Sequence, residues 1–194
     1  MITAQQVKNL RDKTLASMAE CKKALEEAAG NPDKALEILQ RRGKQLATKR
    51  AEKATKEGIV EAYIHPNKKI GVLLELNCET DFVAKNEEFK KLAHELAMHI
   101  AAMDPQYLTF EDIPADILQK QKANYLEEFK NSGKPETVIN QIIDGKLKKF
   151  AEEVCLLEQP FIKNPDQKIS DLLNEYIAKI GENIKIGRFE RFKI

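Results

Sequence analysis

The sequence predicts an α+β fold, in which an N-terminal three-helix bundle precedes a core of helices packed on a three-stranded antiparallel sheet. Three observations carry this. Apolar residues recur at near-helical spacing over residues 4–43, between explicit stops. The period then changes to two over residues 58–78, and it returns to two from Ile184 onward. A chain of 194 residues with 42% hydrophobic content can bury one good core and a small satellite.

Taken in order, Val7 and Leu10 mark the first helix, Met18, Cys21 and Leu25 the second, and Leu36 and Leu39 the third. Asn31-Pro32 supplies a cap and a first-turn proline, and Gly30 and Gly43 stand where helices two and three are expected to stop. So few large apolar side chains make a marginal bundle, suited to docking. Residues 1–43 are therefore read as an N-terminal domain, 44–57 as a basic linker with some helical character, and 58–194 as the core. The segment 41–56, RRGKQLATKRAEKATK, carries seven basic residues against one acid, Glu52. Its functional alternative is a phosphate-tracking arm of a nucleic-acid-binding protein, although no aromatic residue interleaves the charges for base stacking.

In the core, Val60, Ala62 and Ile64 alternate with Glu61 and Tyr63, and Val72, Leu74 and Leu76 alternate with Glu75 and Asn77. These two sets are expected to form the buried face of a hairpin turning at His65-Pro66-Asn67-Lys68-Lys69. A helix is expected over 87–103, capped by Asn86, with Phe89, Leu92, Leu96 and Ile100 on one stripe. Further helical patterns run over 116–131, 135–144 and 170–180, the last stopped by Gly181. A third strand is expected over 184–194, with Gly187 breaking its parity as a bulge does.

Composition narrows the function. Lysine and arginine (32) nearly cancel aspartate and glutamate (31), so any electrostatic function is local. Cys21, Cys78 and Cys155 stand far apart, which suits buried thiols in a reducing compartment better than disulfides or a zinc site. With neither a leader-like N-terminus nor a run long enough to span a bilayer, the expected location is cytoplasmic. His94-Glu95 and His99 imitate a zinc-protease motif, but histidines at i and i+5 diverge by about 140° on a helix. A metal-dependent hydrolase is the reading they would need. Gly43-Lys44 and Gly145-Lys146 lack the rest of a phosphate-binding loop, and no nucleophile with its base is recognisable. The chain is expected to be no enzyme, to carry no cofactor or metal, and to bind no nucleotide, nucleic acid or membrane directly.

What remains is CETDFVAKNEEF, residues 78–89, which sets Phe82 in a polar junction between a strand and a helix. Either Phe82 plugs the end of the sheet, or it is an anchor for a partner protein. Here the chain resembles the bacterial elongation factor Ts family almost end to end. VKNLRDKT with MAECKKALEEAAGNPDKALEILQRRG is similar to the family's ubiquitin-associated-like (UBA-like) helical domain, and TDFVAKN to its most diagnostic heptapeptide. LLEQPF (156–161) and GENIKIGRFERF (181–192) follow in the proper order.

The resemblance implies a guanine-nucleotide exchange factor for elongation factor Tu, the GTPase that carries aminoacyl-tRNA to the ribosome. Asp81 and Phe82, with Thr80 and Val83 in the same element, would intrude beside that partner's magnesium site. The N-terminal bundle would dock on the GTPase through Met18, Cys21, Lys22 and Lys23. Where family members usually read TGAGM, this chain has Thr14-Leu15-Ala16-Ser17-Met18, so Leu15 and Ser17 replace both glycines. The resemblance is to short members, without a second core repeat, a coiled-coil insertion or a C-terminal module, and such members are expected to pair as homodimers.

Overall fold

The computed structural model describes residues 2–14, 16–130 and 133–194. In chain order its elements are α1 (Ala4–Lys13), α2 (Met18–Glu27), α3 (Pro32–Arg50), β1 (Glu57–Ile64), β2 (Ile70–Cys78), α4 (Asp81–Ala84), α5 (Glu87–Met103), α6 (Ala115–Phe129), α7 (Glu136–Val154), β3 (Pro160–Phe161), β4 (Asn164–Lys168), α8 (Ile169–Ile180) and β5 (Ile184–Lys193). They form two compact units, Met1–Ala101 with Ser170–Ile194, and Ala102–Ile169. This is the predicted α+β class.

In the first unit, α1 to α3 make the predicted bundle, each started by a side-chain cap. Thr3 with Gln6 and Ser17 with Glu20 form reciprocal capping boxes, and Asn31 accepts from the backbone N–H of Asp33 and Lys34. Val7, Leu10, Cys21, Leu25 and Ala35 fill its core. Gly30 ends α2 with φ +84°. The expected stop at Gly43 is corrected: α3 continues to Arg50. The residues beyond Gly43 are good helix formers, Ala47 is buried, and Lys49 and Arg50 sit in the last turn, where cations favour the helix dipole. Gly43 itself faces α8, where an added Cβ would lie 3.6 Å from the carbonyl oxygen of Asn174. Lys44 joins the same two helices through Asp171 at 2.8 Å.

Among the described residues β1, β2 and β5 form a three-stranded antiparallel sheet in the order β1-β2-β5. Its register overturns one expectation. Tyr63 pairs with Val72, Glu61 with Leu74 and Ile59 with Leu76, and directly paired residues share a face. Val72, Leu74 and Leu76 are buried as expected. Glu61 and Tyr63 therefore point to the covered side of β1, whereas Val60, Ala62 and Ile64 are exposed on the open side. Ile59 and Tyr63 give the other parity apolar residues of its own, and the turn at 65–69 decides between the two. That turn is closed by Lys68 N–H donating to the His65 carbonyl at 2.7 Å. The predicted bulge is present, with the register shifting between Leu74 and Leu76, opposite Gly187.

α5 covers the buried side, and its Phe89, Leu92, Leu96 and Ile100 are completely enclosed. Its His94 meets Glu61 at 2.9 Å and the Tyr63 ring edge-on at 5.6 Å between centroids. α8 adds Leu172, Leu173, Tyr176 and Ile177 to the buried set and is tied to α5 by Lys179 and Glu88 at 2.8 Å.

The second unit is built on α6 and α7. The pattern expected over 116–131 ends within the described residues at Phe129, and Asn131 lies outside them. The helix expected over 135–144 runs on to Val154, because one glycine at 145, with nothing within 4 Å of an added Cβ, does not stop it. α6 and α7 pack against each other as a helical hairpin. Lys146 pairs with Glu128 and lies over the rings of Tyr125 and Phe129, at 4.9 and 5.1 Å from their centroids. A short ribbon of β3 and β4, which no local pattern announced, completes the unit.

Two glycines should respond oppositely to an added methyl. At Gly58 a Cβ would lie 2.4 Å from the Leu76 carbonyl oxygen, so Gly58→Ala is expected to cost roughly 1–3 kcal/mol by forcing the strands apart. At Gly43 the space exists, so Gly43→Ala is expected to stabilise by up to about 1 kcal/mol through helix propensity. Thermal melts of the two variants check both signs.

Candidate functional site

β2 ends at Cys78, and the chain then makes a single turn of helix, α4. Thr80 starts it, with extended backbone (φ −129°, ψ 157°) and a hydroxyl that accepts from the N–H of Val83 at 3.5 Å. Successive side chains on a helix are about 100° apart, so a single turn cannot bury all of its residues. Val83 and Ala84 are buried, and α4 packs on β1 and β2. Asp81 and Phe82 consequently face outward. Phe82 is 81% exposed, which removes the sheet-plug role considered for it. Asp81 pairs with Lys85 at 2.7 Å, and this contact holds its carboxyl below the usual carboxylate range.

Behind the turn lies a set of polar contacts that sequence reasoning missed. The Thr80 N–H donates to Glu182 Oε2 at 3.1 Å, and the Thr80 hydroxyl to Glu182 Oε1 at 2.7 Å. Glu79 accepts from the Asn183 N–H at 2.6 Å and from Arg50 at 3.1 and 3.3 Å. These contacts, the Asn183 backbone N–H foremost, lower the Glu79 pKa. Asn183 Nδ2 reaches the Lys53 carbonyl at 2.8 Å. The Cys78 thiol donates to the Thr80 carbonyl at 3.1 Å, and burial, with the Glu182 charge second, pushes its pKa up to about 11. At neutral pH it is an unreactive thiol. The partners in this set stand up to 130 positions apart, so no local spacing could have revealed them.

The second set of expected site residues is divided by burial. Met18 is 43% exposed and Lys22 and Lys23 are exposed, while Cys21 is completely enclosed in the bundle core. Of the two residues that replace glycine, Leu15 lies outside the described residues. Ser17 has an extended backbone (φ −67°, ψ 157°) and caps α2, a conformation that needs no glycine.

Three of the seven cations of the basic segment are engaged with carboxylates. Arg42 pairs with Glu27 at 2.6 Å, Lys44 with Asp171 and Arg50 with Glu79. Of the imitated zinc motif, His99 is completely buried and His94 lies at the surface on Glu61. Among the described residues no group of three or more His, Cys, Asp or Glu could hold a metal ion, and no helix is long and apolar enough to cross a membrane.

Residues 2–176 match the protein family described as Elongation factor TS. The chain is 55% identical over 194 residues to elongation factor Ts of Thermosipho melanesiensis, covering all of this chain and 99% of that one. It is 56% identical over 193 residues to elongation factor Ts of Thermodesulfovibrio yellowstonii, with 100% and 96% covered. Against elongation factor Ts of Carboxydothermus hydrogenoformans the identity is 54% over 194 residues, with 100% and 89% covered.

The burial pattern around α4 sets two expectations for the free protein. Phe82→Ala should leave the melting temperature nearly unchanged, whereas Val83→Ala should cost roughly 1.5 kcal/mol or more, for two buried methyl groups. Because the folded-state pKa of Glu79 is depressed, its contribution to stability is complete above the unfolded value of about 4.3 and is lost as pH falls below it. Glu79→Gln should therefore lower stability at neutral pH and flatten its decline below about pH 4, as read from urea melts across that range.

Proposed function

The chain belongs to the elongation factor Ts family and is a translation elongation factor; from this premise we propose that it is a guanine-nucleotide exchange factor, which binds elongation factor Tu and promotes GDP release. The observation that carries the reading is the 81% exposure of Phe82 on a turn whose neighbouring residues are buried or paired. A large apolar side chain held out on a rigid polar edge suits insertion into a pocket of another protein.

The mechanism is coupling, not bond chemistry. A protein that weakens GDP binding must itself bind the nucleotide-free partner more tightly, by the same factor. A thousandfold weakening takes about 4 kcal/mol, and burying one phenylalanine supplies about 1.5–3. Phe82 is thus one of several contributors. Asp81, beside it, brings a carboxylate toward the partner's magnesium and phosphate contacts, while Thr80 and Val83 hold the turn from behind. The bundle of residues 1–43 docks on the GTPase through Met18, Lys22 and Lys23, with Cys21 packing beneath them. The site of action is the cytoplasm.

The free protein pairs with a second copy through the open face of its sheet. Val60, Ile64, Leu73 and Phe192 are all exposed there, an apolar surface that two copies cover by facing each other about a two-fold axis.

GDP release from elongation factor Tu, followed with a fluorescent nucleotide, tests the first reading. Acceleration is expected, with Phe82→Ala reducing it roughly ten- to a hundredfold. An unaltered release rate would overturn the reading. For the second, light scattering should give twice the chain mass, falling to the monomer mass for Val60→Lys.

A further inference from the structure

α4 has four residues, too few to sustain a helix by its own hydrogen bonds, so the direction in which Phe82 points depends on what holds Thr80. Glu182 does so with both carboxylate oxygens, one on the Thr80 N–H and the other on its hydroxyl. A hydroxyl has a single hydrogen. With that hydrogen committed to Glu182 at 2.7 Å, the lone pairs of Thr80 Oγ1 are left turned toward the N–H of Val83, which is the bond that starts the turn. The contact is reciprocal: as Glu182 grips the backbone of Thr80, Glu79, the residue before Thr80, grips the backbone of Asn183, the residue after Glu182. Asn183 and Arg50 extend this clasp to the chain leaving α3, through the Lys53 carbonyl and the Glu79 carboxylate.

We propose that Glu182 is a positioning residue for Phe82, acting through Thr80, within a clasp of Glu79, Glu182, Asn183 and Arg50 that fixes the α4 turn to the end of α3. The consequence for GDP release rests on the exchange function proposed above, whereas the clasp itself is a property of the free protein.

The test uses the full chain. Glu182→Gln keeps the side-chain shape but turns one oxygen into a donor, which then competes for the lone pairs of the Thr80 hydroxyl; Glu182→Ala removes the grip entirely. Amide hydrogen exchange in the free protein should show protection at Thr80 and Val83 falling roughly tenfold or more in both variants, the loss of one charge-assisted bond, with protection in α5 unchanged. GDP release is then measured for Glu182→Gln in the presence and absence of Phe82→Ala. A positioning role predicts a roughly tenfold loss with Phe82 intact and less than about twofold in the Phe82→Ala background, because the two residues act through one contact. Unchanged protection at Thr80 and Val83, or an equal loss in both backgrounds, would overturn the proposal. If the unaltered protein did not accelerate GDP release, the exchange reading would fall, and the amide protection of either variant would still decide the clasp.

Discussion

The register of β1 against β2 is the constraint on which the rest of the first unit depends. Pairing Tyr63 with Val72 commits every residue of β1 to a face, and the close approach of Gly58 to the Leu76 carbonyl leaves no freedom for a shift at the far end of the pair. From this one choice follow both surfaces of the sheet. The covered side receives Leu74 and Leu76 beneath α5, with Glu61 and Tyr63 held at its margin by His94. The open side receives Val60, Ala62 and Ile64. The register also fixes where β2 ends, and thereby where Thr80 begins the turn that carries Phe82.

An exposed phenylalanine contributes to binding in proportion to how little must be ordered when it binds. Its own two torsions matter less than the backbone beneath it, which in a single free turn would sample many directions. The α4 turn is restrained from three sides. Val83 and Ala84 are buried below, Glu182 holds its start, and Lys85 pairs with Asp81 along its outer edge. The polar surroundings of Phe82, which made the residue look misplaced in the sequence, are the groups that keep its backbone in place.

Much of this was legible in the sequence where a single segment carries the signal. The bounds of α5, the left-handed stop at Gly181 and the bulge at Gly187 follow from spacing, capping and glycine alone. The parity of β1 was not legible, because Ile59 and Tyr63 on one face compete with Val60 and Ile64 on the other, and the decision lies in a register set by the turn and by β2. α3 and α7 run past the ends expected for them because an isolated glycine costs a helix only about 1 kcal/mol, and packing or favourable neighbours offset that. The grip of Glu182 on Thr80 joins residues 102 positions apart, and only the folded sheet brings them together.

The basic segment shows how charge counted along a chain differs from charge available to a partner. Read as residues 41–56 it is an arm of seven cations. Folded, it is mostly the second half of α3, and Arg42, Lys44 and Arg50 are directed at carboxylates on α2, on α8 and at the end of β2. A phosphate-tracking arm needs its cations facing solvent and free to exchange counterions, and those three are engaged in pairs. Their geometry serves a different purpose, since each pair fixes the helix to another element at a different height along its axis. α3 is thereby tied at its middle to α8 through Lys44 and at its end to the Glu79 turn through Arg50.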